Sequence, residues 1–375
     1  MKRIALRMLF GDRGKYLSLV IGLSFAVLLI CQQAAIFLGL ITRATGILQN
    51  VGQPDLWVAD PYITYIGEIR PLSERDLGRI RSIPGVAWAE PFFTARAVVE
   101  LPDDSYKTVE LIGIDRSTMI GQPPEMTEGR LADLRIPDAV LVEESSRPKL
   151  ADVQIGDTLL LNDRRAIVVG FCRAKAGFES NAILYTTFQN AIGFVPTGRD
   201  KVSFYLVKTK PDADVQTVAR GIEERTGLGA FTYREMQART VRFILVETGI
   251  GINFGITVLL GFFVGLAVVA AVFYQFTLEN LRHFAVLKAM GARTRALVGM
   301  VLLQGLVVGV IGYGIGVGLA GLFTLSSRKP GAELSAQFPW PLLVGSIGAM
   351  LICIGLGSVL SLRRVITLEP AVVFK

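Results

Sequence analysis

Four stretches without a charged side chain constrain this chain more than any other feature: Tyr16 to Thr42, Thr248 to Leu278, Ala296 to Ser327 and Leu334 to Leu362. Each outruns the ~20 residues a helix needs to cross the hydrocarbon core of a bilayer. With 51% apolar and 19% charged residues, the balance is too apolar for a soluble chain of this length unless the apolar residues are gathered into spans. Four transmembrane helices are therefore predicted: 16–42, the membrane part of 241–278, 296–324 and 339–362. The first run continues past any signal-peptide core, and Cys31 follows Leu29 and Ile30 where a lipoprotein cleavage site wants small residues. It reads as a retained span.

Orientation follows from Lys and Arg close to the spans. Lys2, Arg3, Arg7, Arg13 and Lys15 precede the first span, and Arg282, Lys288, Arg293 and Arg295 lie between the second and third. Arg363, Arg364 and Lys375 follow the fourth, whereas the 325–338 loop carries only Arg328 and Lys329. Both termini (1–15 and 363–375) and the 279–295 island are thus expected in the cytoplasm, and residues 43–240 outside it. The net charge of +7 is topological, not a stripe that follows phosphates, so nucleic acid is not expected as a partner.

The basic N-terminal segment RIALRMLF reads either as a short amphipathic helix in the membrane interface, ended by Gly11, or as a plain positive flank. The 43–240 segment reads as an α+β domain. Ser73, with Asp76 three residues on, marks a helix N-cap, Leu72 and Leu77 a hydrophobic staple, and Pro84-Gly85 the stop. Strand-like runs at Trp88 to Leu101 and Thr108 to Ile114 complete a strand, helix, strand unit. A similar unit recurs at Ser203 to Lys208, a helix with Val215, Val218, Ala219 and Ile222 on one face, Gly227 as its stop, and a strand near Phe231. Between these halves, 117–197 reads as a β-rich insert with a hairpin turning at Asn162-Asp163. Tyr233 to Glu247 stays helix-compatible up to the second span.

Catalytic chemistry is not legible. The one histidine, His283, lies in the island, which leaves no outer His/Cys zinc set and no Ser/His/Asp relay. Cys31 and Cys353 fall inside spans and Cys172 stands alone outside, so no disulfide framework is expected. No span holds an Asp, Glu, Lys or Arg, which argues against an ion-coupled transporter. Gly251 with Gly255, and Gly261 with Gly265, have the four-residue spacing that permits close helix packing or a dimer seam. Gln32 and Gln33 need either another helix or interfacial water.

The island, TLENLRHFAVLKAMGARTR, is read as a helix over Leu281 to Met290 that Gly291 ends. Its apolar girth and charged flanks fit a helix wedged between lipid and a protein, or a short interfacial helix without a partner. RHFAVLKAMGA closely resembles the signature of FtsX/MacB-like ABC transporter permeases of the type VII class. The resemblance runs along the whole chain to the terminal LEPAVVFK, and ALRMLFGDRGKY and DLWVADP are similar to the DevC branch.

The resemblance implies a MacB-like periplasmic core domain of porter-like βαβ halves with a small inserted part, within a bacterial inner-membrane permease. It implies a second permease copy, a cytoplasmic ABC ATPase, a periplasmic adaptor and an outer-membrane channel. ATP-driven motion would then pass to periplasmic or outer-leaflet cargo. ATPase contact maps to Glu279, Arg282, His283, Phe284, Lys288 and Gly291. The family's acid-glycine pair ahead of the Leu-Lys run is replaced here by Phe284-Ala285, with Glu279 earlier. No Gly-x-x-x-x-Gly-Lys-Ser/Thr run is present, so ATP is expected on a separate polypeptide, with no cofactor and no catalytic or metal site on this chain. The alternatives are an FtsX-type mechanotransmitter acting on a cell-wall hydrolase, a Lol-type lipoprotein-extracting permease, and a membrane-anchored sensor.

Overall fold

A computed structural model describes all residues except 1, 12, 180, 196–200, 328–335 and 368–375. The chain divides into two compact units: Met1–Gly39 with Ile250–Arg328 and Leu334–Lys375, and Leu40–Gly249 with Lys329–Glu333. The sequence expectations for Arg328, Lys329 and Lys375 fall outside the described residues.

In chain order, α1 (Lys2–Gly11), α2 (Arg13–Ala44) and α3 (Gly46–Asn50) precede β1 (Leu56–Ala59), β2 (Leu72–Ser73), α4 (Asp76–Arg81), β3 (Val86–Glu100) and β4 (Tyr106–Ile114). Then come β5 (Glu125–Glu128), β6 (Ala139–Glu143), β7 (Thr158–Leu161), β8 (Arg164–Arg173), β9 (Ala182–Thr187) and α5 (Phe188–Phe194). β10 (Lys201–Val202), β11 (Phe204–Thr209), α6 (Val215–Thr226), β12 (Gly229–Thr232) and α7 (Tyr233–Arg242) close the outer domain. The chain ends with α8 (Ile250–Glu279), α9 (Leu281–Ala289), α10 (Thr294–Ser326) and α11 (Trp340–Thr367).

The outer domain is built on one ten-stranded mixed sheet in the order β12-β1-β11-β3-β4-β9-β6-β8-β5, with β7 pairing β3 and β8. β1-α4-β3 and β11-α6-β12 supply the four strands β12-β1-β11-β3, all antiparallel neighbours. That is the split βαβ arrangement. The predicted insert is not set apart from it, because β3 runs for 15 residues. Its first half pairs with β11 and its second half with β4, which carries the sheet into the inserted strands. β4–β9 and β6–β8 are the parallel pairs.

Side chains alternate between the two faces of the sheet and feed two cores. One gathers Val58, Phe93, Leu111, Leu184, Val207 and Ile222 beneath α4, α5 and α6. The other centres on Trp57, whose indole meets the rings of Phe92 and Phe204 edge-on at 5.6 Å each. Burying each such ring contributes about 1.5–3 kcal/mol.

The DTLLL/AIVVGF hairpin forms as expected: β7 and β8 pair antiparallel, and Asn162 and Asp163 both take positive φ, +46° and +62°. Asn162 also ties the turn down, its Oδ1 accepting from Val98 N (3.0 Å) and its Nδ2 donating to Phe194 O (2.9 Å). α6 ends at Gly227 in the left-handed region, with Val218, Ala219 and Ile222 buried. The helix placed after Ser73 is corrected. Ser73 ends β2, and α4 starts at Asp76 without a side-chain cap. Backbone pairing of Leu72–Ser73 with β10 competes for the residues that local pattern assigned to the cap.

The lead-in to the second span is helical over Tyr233–Glu247, as read from the sequence, but it is not continuous with the span. α7 starts on a full capping box between Thr232 and Glu235 and passes into a π-turn over Phe243–Glu247. The helix then breaks at Gly249, φ +70°, before α8 begins. Sequence periodicity does not see this break because Thr248 and Gly249 are compatible with a continuing membrane helix.

Among the described residues, four helices are long and apolar enough to cross a membrane: Tyr16–Ala44, Ile250–Glu279, Thr294–Ser326 and Trp340–Val359. Glycine sets their packing. A Cβ built on Gly265 would lie 2.4 Å from Cβ of Ala26 on α2, and one on Gly316 2.6 Å from the backbone oxygen of Ser24. On the far side of α8, Ile252, Ile256, Leu259 and Phe263 are more than half exposed, as a lipid-facing side requires.

Candidate functional site

The island folds as the short helix α9, held between α8 and α10. Phe284 and Ala285 are fully buried, and Phe284 packs in a cluster with Ala5, Leu9, Phe273, Leu297 and Val301, so one side of α9 is pinned to the membrane helices. α1 is pinned beside it. Buried Gln304 of α10 donates from Nε2 to the Ala5 carbonyl at 2.8 Å. The basic N-terminal segment is thus a helix docked on its own protein through Ala5 and Leu9, with Arg3 and Arg7 exposed.

At its C-terminus α9 closes with two backbone bonds. Gly291 N donates to Lys288 O at 3.1 Å and Ala292 N to Leu287 O at 3.0 Å. With Gly291 at φ +91°, this is a Schellman cap, which needs a residue that tolerates the left-handed region. It turns the chain sharply into α10.

The opposite side of α9 is open. Arg282, His283, Val286, Ala289 and Met290 are exposed, Met290 at 71%. Arg282, His283, Val286 and Leu287 form one wall of a groove of about 390 Å³, and Ile4 and Met8 of α1 form the other. Arg282 occupies the first turn, where the helix dipole disfavours a cation by a few tenths of a kcal/mol, while Lys288 sits in the favoured last turn.

Of the residues singled out for ATPase contact, the fold brings Arg282 and His283 together on the groove, with Glu279 at the end of α8. Glu279 is exposed and accepts a bond from Gln275 Nε2 at 3.1 Å. Lys288 is half-buried, and Gly291 shapes the exit. Phe284 is corrected: its ring is an internal anchor and offers no surface to a partner. Sequence reasoning missed Ile4, Met8 and Met290. Nothing local pairs α1 with a helix so distant along the chain, but the exposed Met after the Leu-Lys run was a usable signal.

Of the four glycines assigned to packing, Gly261 and Gly265 face Leu29 and Ala26 of α2 and so form a seam inside the protomer. Gly251 is half-buried and Gly255 is exposed, with open space where a Cβ would stand. Gln32 and Gln33 are half-buried on α2. Among the described residues no group of three or more His, Cys, Asp or Glu side chains could hold a metal ion.

Two family models match. The FtsX-like permease C-terminal model covers residues 255–370, which include α9, and the MacB-like periplasmic core domain model covers residues 17–225, more than half of the chain. The chain belongs to the FtsX/MacB-like family of ABC transporter permeases. Among its relatives, the uncharacterised ABC transporter permease Rv0072 of Mycobacterium tuberculosis is 26% identical over 83% of this chain and 80% of its own length. Another from the same organism, Rv2563, is 27% identical over 81% and 79%.

Solved structures match more loosely. The periplasmic region of MacB from Actinobacillus actinomycetemcomitans superposes with a TM-score of 0.40 at 15% identity, over 51% of this chain and 94% of that one. The extracellular domain of the ABC-type transporter YknZ from Gram-positive bacteria gives 0.36 at 14%, over 48% and 99%. An FtsX/MacB-like permease with four membrane-crossing helices is a multi-pass inner-membrane protein whose family works with a partner ATPase, the permease itself being generally the non-catalytic component.

Proposed function

We propose that this permease is the membrane subunit of an exporter in which a separate cytoplasmic ABC ATPase docks on the α1/α9 groove and drives motion into the outer domain. The observation that carries this reading is the two-sidedness of α9: Phe284 and Ala285 are locked into the helix bundle, while Arg282 and His283 stand free on an open groove. A push on a helix anchored in that way is transmitted to α8 and α10 rather than absorbed by a loop. The orientation of Lys and Arg supports placing both termini and α9 in the cytoplasm. Working as a homodimer with a periplasmic adaptor and an outer-membrane channel completes the proposal, in keeping with the DevC-like flanks ALRMLFGDRGKY and DLWVADP.

The test is reconstitution with the ATPase that co-purifies with the full-length permease. Arg282→Glu combined with His283→Glu is expected to abolish the permease-dependent part of ATP hydrolysis while membrane insertion and melting temperature stay at wild-type values. Unchanged stimulation would remove the groove from the coupling path. Recovery of an adaptor with the ATPase supports export, whereas a cell-wall hydrolase in its place would replace export by mechanotransmission, and a lipoprotein-carrier partner by lipoprotein extraction.

A further inference from the structure

The outer domain contains a charged cavity that the coupling groove does not use. On β4, Ile112 and Ile114 face the Trp57 core, and Glu110, two residues earlier, shares their side of the sheet. Instead of packing, its carboxylate lines a cavity of about 150 Å³ with Tyr65, Phe178, Phe243 and Ile244. The Tyr65 and Phe243 rings stack at 4.4 Å, within 8° of parallel. Ala44, the last residue of α2, and Thr248, two residues before α8, also line it, so along the chain the cavity is bounded by the ends of two spans.

The polar groups in this cavity are unequally satisfied. Glu179 pairs with the Arg96 guanidinium and also accepts from Asn181 Nδ2 at 3.1 Å. That consumes the one cation lining the cavity among the described residues. Glu110 accepts no hydrogen bond among the described residues, and the Gly177 backbone passes so close that a Cβ there would fall 2.7 Å from its Oε2. Burial, helped by the negative charge of Glu179 and opposed by Arg96, pushes the Glu110 carboxyl up to about 7.

We propose that this cavity binds an amphipathic cation, seating a primary or secondary ammonium on Glu110 and an apolar body against Tyr65, Phe178 and Phe243. Once Glu110 ionises, two carboxylates face one guanidinium, so the cavity carries one unmatched negative charge. A neutral apolar ligand would leave that charge unpaired, which is costly in an apolar site, and an anion would meet like charge. A cavity of 150 Å³ accepts a benzene-sized group, and the aromatic faces of its walls favour a nearby cation. An adjoining depression that shares Tyr65, Ile69 and Arg96 extends toward Glu68 and Phe93, leaving room for a longer body.

pH follows from the same residues. Of the other titratable groups around Glu110, Tyr65 and Tyr185 are raised by burial, and Glu179 and Arg96 neutralise each other. Glu110 is therefore the group that titrates near neutrality. A cation requires it ionised, so binding strengthens as the pH rises through about 7 and levels off above it, weakens as the pH falls below that value, and releases a proton when it occurs near pH 7.

This deepens the export reading by naming a cargo class, but binding is measured on the permease alone, so failure of export leaves it standing. The experiment is calorimetry of the full-length permease in lipid nanodiscs with 2-phenylethylammonium, the neutral 2-phenylethanol and the anionic phenylacetate, empty discs subtracted. The ammonium is expected to bind at least about tenfold tighter than the alcohol at pH 8, with no binding of the acid. Its affinity should fall by up to about tenfold per pH unit below 7, with proton release visible as a buffer-dependent heat near pH 7. Glu110→Gln should erase the preference for the ammonium. The wild-type selectivity and proton release test the idea without any variant. Equal binding of ammonium and alcohol, pH-independent affinity, or no binding of the ammonium overturns it.

Discussion

Replacing Gly291 by alanine tests whether the exit of α9 is held by backbone conformation rather than by contacts. A Cβ at this position would meet nothing within 4 Å, so steric crowding from neighbours contributes nothing. The conformation does. At φ +91° an L side chain costs about 1–2 kcal/mol that glycine avoids. The cost falls on two bonds, Gly291 N to Lys288 O and Ala292 N to Leu287 O, which break together when the cap opens.

One to two kcal/mol corresponds to roughly a 5–30-fold rise in the open population. Hydrogen exchange of the α9 peptide, measured on the permease in nanodiscs, should accelerate by that factor while α10 amides keep their rates. Asparagine, which tolerates the left-handed region better, should fall between glycine and alanine. Gly255→Ala, at a helical glycine also with open space around it, is the control and should leave α9 exchange unchanged. Wild-type exchange in Gly291→Ala, or an asparagine variant as fast as alanine, refutes the reasoning.

Two further outcomes follow from the packing. Burial raises the Asp55 carboxyl, but bonds from Lys208 Nζ (2.7 Å), Thr209 N (3.0 Å) and Thr209 Oγ1 (2.8 Å) outweigh it and hold it below the ordinary Asp range. A depressed carboxyl stabilises the fold above its unfolded value of ~3.9 and loses that contribution as the pH falls through its folded value. Asp55→Asn should therefore cost about 1–3 kcal/mol at pH 7, and melting curves should converge with wild type in acid; a constant offset at all pH values would contradict the assignment. Gly265→Val should lower the melting temperature, because a Cβ there lies 2.4 Å from Ala26 and overpacking costs about 1–3 kcal/mol, whereas Gly255→Ala should not. Equal melting of the two variants would mean that α2 and α8 are not in close contact at Gly265.

Local pattern was enough wherever one residue type does a job that its neighbours do not alter. The Asn162-Asp163 turn, the Gly227 and Gly291 stops and the α6 face were legible because positive φ and 3.6-residue periodicity leave direct marks in the sequence. Ser73 misled because a cap signal is weak, about 1 kcal/mol, and strand pairing with β10 took its residues instead. That the strands of the insert continue the sheet of the two halves was not legible, because no local signal says that β3 runs through both. Phe284 was assigned to a partner surface because an aromatic residue in an amphipathic segment looks the same whether its ring faces inward or outward.

The number of membrane crossings, the charged island between the second and third, and the family were determined by sequence alone, because apolar length and charge are properties of consecutive residues. Only the tertiary structure decided that α1 and α9 share one groove, that Gln304 ties α10 to Ala5, and that Glu110 faces a cavity with its neighbouring cation already committed to Glu179. Each of these depends on groups far apart along the chain, and whether a charge is satisfied depends on which groups surround it rather than on which residues precede it.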